Sequence, residues 1–195
     1  MEKELYYNGN RDGNNKSLVG EYANADWGVY NAISNGGNRA GLWRTLTRDE
    51  IYYLLVKRPK ADSLYSIAYV NGHYGLLLMP DDWKCDSINF FPQQGYNANH
   101  YNASDWASLQ KLGAVFFPAA GYRTGKSVGQ MEFWGLYWSS TADPKSDEYV
   151  FSLTFYTGID NKLEMGKVYY GNSAEGQIFL GLAVRLVHDI VQPAE

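Results

Sequence analysis

The stretch from Gly113 to Thr141, GAVFFPAAGYRTGKSVGQMEFWGLYWSST, constrains the fold more than any other part of the chain. It predicts an apolar strand from Ala114 to Phe117 that is stopped by Pro118, because proline cannot donate to a sheet ladder. A glycine-containing connector follows, and Phe133 to Trp138 then predicts an aromatic strand that runs into the hydroxyl cluster Ser139 to Thr141. Trp and Tyr side chains need an apolar bed and a partner for the polar edge. We therefore expect this stretch to form a wall of the core.

The composition is typical of a folded, strand-rich domain. Of the 195 residues, 45% are apolar and 19% are charged, which is enough apolar surface for a sizeable core in one domain. The 17 tyrosines and 20 glycines favour many short strands and tight turns over a helical bundle. The formal net charge of -4 provides no basic stripe, so nucleic acid is not an expected partner.

Neither a disulfide framework nor a membrane anchor is predicted. The lone cysteine, Cys85, excludes an intramolecular disulfide and provides no metal-binding pair. No apolar run is long enough to span a membrane, and residues 1–20 lack the apolar segment of a signal peptide. Residues 1–21 are predicted to be a loop-rich N-terminal segment, and one interpretation is that this end has been trimmed. Residues 22–195 are predicted to form a single domain.

Capping signals predict two short helices. Thr47 followed by Glu50 is a capping box, in which each side chain satisfies an orphan backbone donor, and it predicts a helix from Arg48 to about Lys57 or Arg58. Ser104 is the predicted N-cap of a second helix, Asp105 to Leu112, which a glycine ends. The buried stripe predicted for the first helix is Ile51, Leu54 and Leu55.

The clearest strand signal is a hairpin. Asn71-Gly72 lies between apolar runs from Ser66 to Val70 and from Tyr74 to Met79, and both central residues of a type I′ turn need positive φ. Residues 81–102 are predicted to be rich in loops. The further predicted extended segments are Trp43 to Leu46, Tyr149 to Tyr156, Lys167 to Tyr170 and Phe179 to Val187.

Four segments carry a family resemblance: WRTLTRDEIYYLL, AVFFPAAGYR, GLYWSST and GLAVRLV occur in this order. Together they resemble the motifs of the Fibrobacter succinogenes major paralogous domain family and its relatives among gut Bacteroidetes, over roughly residues 22–188. The resemblance implies an α+β, C-type lectin-like fold with short twisted antiparallel sheets, two short helices and long loops. That fold is shared with formylglycine-generating enzymes and with the variable proteins of diversity-generating retroelements. It also implies that the chain ends pair, with Glu4 to Tyr7 beside the final strand.

Residues suited to metal binding or acid–base chemistry are scattered. The histidines form no paired motif, so we expect surface or turn roles for them. The aspartates that follow Pro80 are candidate calcium ligands, but turn chemistry explains them and we expect a solvated loop. No cofactor is predicted. The residues concerned are His73, His100 and His188, and Asp81, Asp82 and Asp86.

Nucleophilic catalysis is not predicted either. Acidic neighbours disfavour a thiolate at Cys85, and the formylglycine-generating reaction is associated with paired cysteines. Ser139 to Thr141 lack a nucleophile elbow, and we expect them to bond backbone groups at a strand end. Arg185, inside the apolar GLAVRLV segment, is predicted to be a structural arginine with a carboxylate or carbonyl partner.

The segment between Trp138 and Gly181 is the predicted recognition surface. Tyr provides contact area at low entropic cost and Asn provides hydrogen bonds, although half-buried strands also use Tyr. In the retroelement variable proteins that the chain resembles, the corresponding region is the diversified ligand-binding face. The predicted ligand-binding residues are Asp143, Lys145, Asp147, Tyr149, Phe151, Tyr156, Asn161, Lys162, Tyr169, Tyr170, Asn172 and Glu175.

These observations predict a non-catalytic ligand-binding domain of the adhesin or receptor-binding type. The expected ligand is a protein or a glycan, and self-association into a homo-oligomer is a further option. The expected location is outside a bacterial cell, on its surface, or on a phage particle. Two alternatives stay open: a formylglycine-generating-type enzyme, and a structural module of a cell-surface or pilus assembly.

Overall fold

Strands dominate the computed structural model, which describes residues 41–85, 87–92, 94–124, 126–142, 150–158, 168–171 and 180–188. Within these ranges the chain is a mixed α+β fold with small sheets and two short helices, as predicted. The strands are β1 (Arg44–Thr45), β2 (Tyr65–Val70), β3 (His73–Leu78), β4 (His100–Tyr101), β5 (Val115–Pro118), β6 (Tyr122–Thr124), β7 (Ser127–Gly129), β8 (Trp134–Ala142), β9 (Val150–Tyr156), β10 (Val168–Gly171) and β11 (Leu186–Val187). The helical elements are α1 (Arg48–Tyr52), a π-helical turn (Tyr53–Lys57), a 3₁₀ turn (Ala61–Ser63) and α2 (Ala103–Lys111).

The predicted hairpin is confirmed and forms the centre of a four-stranded sheet. Asn71 and Gly72 have φ values of 49° and 96°, which is the positive-φ pair that a type I′ turn requires. The strand order is β4-β2-β3-β5, with β4 parallel to β2 and the other pairs antiparallel. Pro118 ends β5, which is the outer strand of this order, so its missing donor does not interrupt the ladder.

Both faces of the β2–β3 hairpin are buried, each against different elements. On one face, Ile67 and Leu76 pack with Ile51 of α1 and with Tyr137 and Phe155 of the second sheet. The opposite face has a core of its own beneath α2. Its buried residues include Ala68, Val70, Leu77, Tyr101, Leu109 and Phe116. The domain is therefore layered around this hairpin.

The second sheet has the order β10-β9-β8, with both pairs antiparallel. Gly135 of β8 lies opposite Phe155 of β9, and a Cβ on this glycine would stand only 1.9 Å from the phenylalanine ring. The aromatic ring thus occupies the space that a side chain at position 135 would need. Any larger residue there would displace Phe155 from the core.

The hydroxyl cluster, Ser139 to Thr141, lies inside β8 and not at its end. The pairing of β8 with β9 shifts register between Trp138 and Ala142 and resumes at Ala142. The prediction that these hydroxyls bond backbone groups is confirmed for two of them. Ser139 Oγ donates to the Phe151 carbonyl at 2.6 Å, and Thr141 Oγ1 accepts from the Arg48 amide at 3.1 Å. The bulge therefore ties the sheet to the start of α1.

The capping box at α1 is confirmed. The Glu50 amide donates to Thr47 Oγ1 at 3.2 Å, and the Thr47 amide donates to Glu50 Oε2 at 2.8 Å. The helical segment reaches Lys57, as predicted, but its second half is π-helical, with the Arg58 amide bonded to the Tyr53 carbonyl. In the predicted stripe, Ile51 and Leu55 are buried and Leu54 is half-buried.

The predicted N-cap of α2 is wrong by two residues. Asn102, not Ser104, is the cap, because its Oδ1 accepts from the Ser104 and Asp105 amides at 2.8 and 3.0 Å. Asp105 completes the box by accepting from the Asn102 amide. An asparagine side chain serves as well as serine in this role. Gly113, at φ 92°, follows the helix as predicted.

The predicted final strand is broken into separate contacts. Gly181 bridges to Arg123, Ala183 bridges to Tyr137, and only β11 forms a ladder, antiparallel to β1. Its predicted first residue, Phe179, lies outside the described residues. Glu4 to Tyr7, predicted to pair with the final strand, also lies outside them.

The predicted structural role of Arg185 is wrong, and a different arginine is buried. Arg185 precedes β11, is exposed, and has its guanidinium carbon 5.7 Å from the centroid of the Phe117 ring. Arg58, in contrast, is only 4% exposed. It donates to the Met79 carbonyl at 2.8 Å and to the Leu64 carbonyl at 3.2 Å, so it joins the end of the π-helical turn to the hairpin. As to membranes, the described residues contain no helix long and apolar enough to cross one.

An ion pair joins β1 to α1. Arg44 donates to both carboxylate oxygens of Glu50, at 2.8 and 2.6 Å. These hydrogen bonds, helped by those from Thr47, outweigh the opposing effect of burial and lower the pKa of Glu50 from 4.5 to about 2.

We predict that Glu50 gives the fold a distinct acid sensitivity. Its folded-state pKa is depressed, so its contribution to stability is present above about pH 4.5 and is lost as the pH falls toward about 2. Urea unfolding of the wild type between pH 6 and pH 2 should therefore show a steeper loss of stability than the Glu50→Gln variant shows. Parallel pH profiles for the two proteins would contradict this assignment.

The revised cap of α2 gives a second prediction. Asn102→Ala removes the acceptor for two helix amides and should lower the free energy of unfolding by about 1 kcal/mol, the usual cost of losing an N-cap. Ser104→Ala, at the position predicted from sequence, leaves that acceptor in place and is the matched control. A larger loss from Ser104→Ala than from Asn102→Ala, measured by urea denaturation, would restore the original boundary.

Candidate functional site

Four of the predicted ligand-binding residues fall in the described part of the chain. Phe151 and Tyr156 lie in β9, and Tyr169 and Tyr170 lie in β10, where their backbones pair with Thr154 and Leu153. The remaining predicted residues lie outside the described ranges. They are Asp143, Lys145, Asp147, Tyr149, Asn161, Lys162, Asn172 and Glu175.

Phe151 and Tyr156 lie on opposite faces of β9. Phe151 shares its face with Leu153 and Phe155, which belong to the core beneath α1, because alternate residues of a strand point to the same side. The Arg48 guanidinium lies 4.6 Å from the centroid of the Phe151 ring and covers it in part. Tyr156 faces the other way and belongs to a separate surface.

That surface is an aromatic cluster formed by Tyr122, Trp134 and Tyr156. The ring centroids of Trp134 and Tyr156 are 5.2 Å apart in an edge-to-face arrangement, and those of Tyr122 and Trp134 are 6.0 Å apart. All three residues are half-buried, so each presents part of its ring to solvent. The three rings form one contiguous aromatic cluster.

Backbone pairing holds the three rings in place. Trp134 lies directly opposite Tyr156 in the β8–β9 ladder. The Gly121 amide donates to the Trp134 carbonyl at 2.7 Å, which brings β6 and Tyr122 alongside β8. Gly121 has φ 66°, and a Cβ there would lie 2.0 Å from the Gly129 carbonyl oxygen. Only glycine fits this approach.

The turn before β8 carries two exposed apolar side chains, which we call the rim. Met131 and Phe133 are 57% and 45% exposed. Between them, Glu132 adopts φ 67°, a conformation that costs energy for a residue with a side chain and persists only when its surroundings hold it. Its Oε2 accepts from the Tyr74 amide at 2.8 Å, and its Oε1 lies 2.8 Å from Nδ1 of His73. The rim is thus anchored to the central hairpin.

The other candidate chemical groups have local partners or lie apart. Asp81 pairs with Arg58 at 3.2 Å, Asp82 is exposed, and Asp86 lies outside the described residues. Among the residues that the structure describes, no three His, Cys, Asp or Glu side chains come together as metal ligands would. Cys85 Sγ lies 3.3 Å from Ser87 Oγ. The other two histidines contact aromatic rings, His100 at Tyr69 and His188 at Trp43.

The sequence placed Trp134 in the core, and the structure shows it at the surface. Trp138 and Tyr137 are buried as predicted, but Trp134 stands at the start of β8, where the sheet reaches solvent. Tyr122 was also missed, because its place beside Trp134 depends on the pairing of Gly121 with Gly135, which are fourteen residues apart. The signal available in the sequence was the pair of aromatic–glycine neighbours, Gly121-Tyr122 and Trp134-Gly135.

Comparisons with protein-family models, curated proteins and solved structures found no match to this chain.

The contrast between buried and surface aromatics gives a third prediction. Trp138 is 4% exposed, and Trp138→Ala should lower the free energy of unfolding by about 3 to 5 kcal/mol through loss of packing. Tyr156→Ala removes a ring that is partly in solvent and should cost about 1 kcal/mol. Urea denaturation midpoints at equal m-values measure both. Similar losses for the two variants would mean that the cluster is part of the core.

Proposed function

We propose that the protein is a non-catalytic ligand-binding domain with a C-type lectin-like fold, and that the aromatic cluster is its recognition surface. The observation that carries the proposal is the half-buried array of Tyr122, Trp134 and Tyr156, in which Trp134 and Tyr156 face each other across β8 and β9 and a bridge at Gly121 brings Tyr122 beside them. Tyr and Trp are the residues that most often dominate binding energy at interfaces. Because the backbone ladder already orders these rings, binding would lose little conformational entropy.

Several features of the fold support the C-type lectin-like assignment. The small antiparallel sheets, the two short helices and the long connection between β3 and β4 agree with what the four sequence motifs imply. The chain also brings an early strand, β1, beside a late one, β11. These features are compatible with that fold.

A protein is the ligand class that the rim favours. Met131 and Phe133 add exposed apolar area next to Trp134, and apolar side chains around an aromatic centre are typical of protein–protein contacts. The predicted ligand-binding residues between positions 143 and 175 that lie outside the described ranges stay predictions.

The same rim also fits a structural module of a surface assembly, in which a neighbouring copy covers the cluster. The exposed Met131 and Phe133 are the observation that favours it. Sedimentation over a wide concentration range separates the two functions. A stable oligomer that Met131→Ser dissociates would support the assembly role.

The proposed function predicts a specific pattern of binding losses. A labelled wild-type domain is first screened on arrays of extracellular proteins and of glycans, and Tyr122→Ala and Tyr156→Ala are then titrated against whatever ligand is found. Each variant should weaken binding by about 1 kcal/mol or more, as interface aromatics usually do. Tyr53→Ala is the matched control, because Tyr53 is 47% exposed on the turn after α1, outside the cluster.

The proposal fails if a ligand is found whose affinity ignores both cluster variants. A response confined to substitutions within residues 80–102 would move the recognition surface to that loop region. Equal losses in the Tyr53→Ala control would indicate a non-specific effect of removing exposed tyrosines.

A further inference from the structure

A groove of about 410 Å³ opens on another part of the molecule, between the π-helical turn, the ends of β3 and β5, and β11. Its volume lies in the range of pockets that bind small organic molecules. Most of its lining is apolar and comes from elements distant in sequence. The apolar side chains that matter most are Trp43, Leu54, Val115, Phe117, Leu186 and Val187.

Two arginines give this apolar groove a positive charge. Arg58 and Arg185 both line it, and none of its described lining residues is an aspartate or glutamate. Arg185 is exposed, and its guanidinium lies 5.7 Å from the centroid of the Phe117 ring, so the charge stands over an apolar wall. A guanidinium in this position has donors available for a planar anion.

Arg58 lies within the wall of the groove. It is buried, and its nearest carboxylate, that of Asp81, is largely in solvent. Its terminal nitrogens donate to the carbonyls of Leu64 and Met79 and to Asp81 Oδ1 at 3.2 Å, while its Nε has no hydrogen-bond partner. Because Asp81 offsets part of the Arg58 charge, Arg185 is the main cation that an anion in the groove would meet.

We infer that this groove binds an apolar monocarboxylate, with the hydrocarbon chain against the apolar lining and the carboxylate at Arg185. An apolar cation would meet two like charges. A polyanion would leave most of its charge against hydrocarbon, which is costly. A single carboxylate on an apolar chain matches both properties, because a guanidinium pairs with its two oxygens and the chain gains from burial.

This site is independent of the proposed recognition function. The groove lining and the aromatic cluster share no residue. A domain with no macromolecular ligand could bind a monocarboxylate, and the reverse also holds.

Titration of the full chain with octanoate tests the inference. Heteronuclear NMR should show saturable one-to-one binding, with the methyl signals of Leu54, Val115 and Leu186 moving most. Octanol, which has the same chain without the charge, should bind more weakly. Arg185→Gln should weaken octanoate binding about tenfold, the order expected when a charge-assisted hydrogen bond is lost.

Arg48→Gln is the matched control, because Arg48 is also an exposed arginine over a phenylalanine ring but lies outside the groove. Its octanoate affinity should stay within about twofold of the wild type, since surface substitutions away from a site change little. The inference is overturned if octanoate and octanol bind with equal affinity, or if the two arginine variants lose equal affinity for octanoate. It is also overturned if the chemical-shift changes are confined to methyl groups outside the groove. Tighter binding of acetyl-Val-Leu acid than of octanoate would also overturn it, because the occupant would then be a peptide C terminus.

Discussion

Burial of the β2–β3 hairpin on both faces is the constraint on which the rest of the described structure depends. A strand pair that is apolar on both sides must be covered twice, and the chain does so with α1 and the β8–β9 sheet on one face and with α2 on the other. The hairpin therefore fixes where the two layers meet. Both candidate binding regions lie where one of those layers ends, so their geometry follows from how the hairpin is covered.

Buried polar groups then lock the connections between layers. Asn99 is fully buried, and its Oδ1 accepts from the Phe91 amide at 2.9 Å and from the Tyr101 hydroxyl at 3.0 Å. Its Nδ2 reaches Ser66 of β2 and the carbonyls of Phe91 and Gly95, so one amide organises the loop that covers the sheet edge. Burial also raises the pKa of Tyr101 to about 12, so its hydroxyl stays a donor at any physiological pH. In the same way, the hydrogen bonds of Glu132 hold the rim in place, and those of Arg58 hold one wall of the groove. Because an unpaired buried polar group is costly, such residues specify one arrangement of otherwise irregular segments.

The elements that sequence could predict are those whose cause is local. The Asn71-Gly72 turn, the Thr47 capping box and the stop at Pro118 each depend on residues within a few positions of one another, and all three are confirmed. The wrong predictions concern features that depend on contacts between residues far apart in the sequence. Nothing near Arg58 distinguishes it from Arg185 in the sequence, because its burial depends on carbonyls of Leu64 and Met79 that only the folded chain presents. The bulge in β8 and the approach of Gly121 to Gly135 also depend on contacts between residues that are distant in the sequence. The recognition residues between positions 143 and 175 stay predictions wherever they lie outside the described ranges.

Strand alternation limits how much of an aromatic segment can serve recognition. In β9 the odd positions Leu153 and Phe155 are committed to the core, so Phe151 follows them to that side, and only the even positions can contribute to the opposite surface. Ser152 and Thr154 are buried there, which leaves Tyr156, at the end of the strand, as the residue that reaches solvent. The proposed recognition surface therefore combines strand ends of this sheet, at Tyr156 and Trp134, with Tyr122 of the neighbouring β6, and does not follow one strand through the sequence. Under the proposed function, tyrosines of this chain would serve both packing and binding, and the pleat of the strand would decide which role a given residue takes.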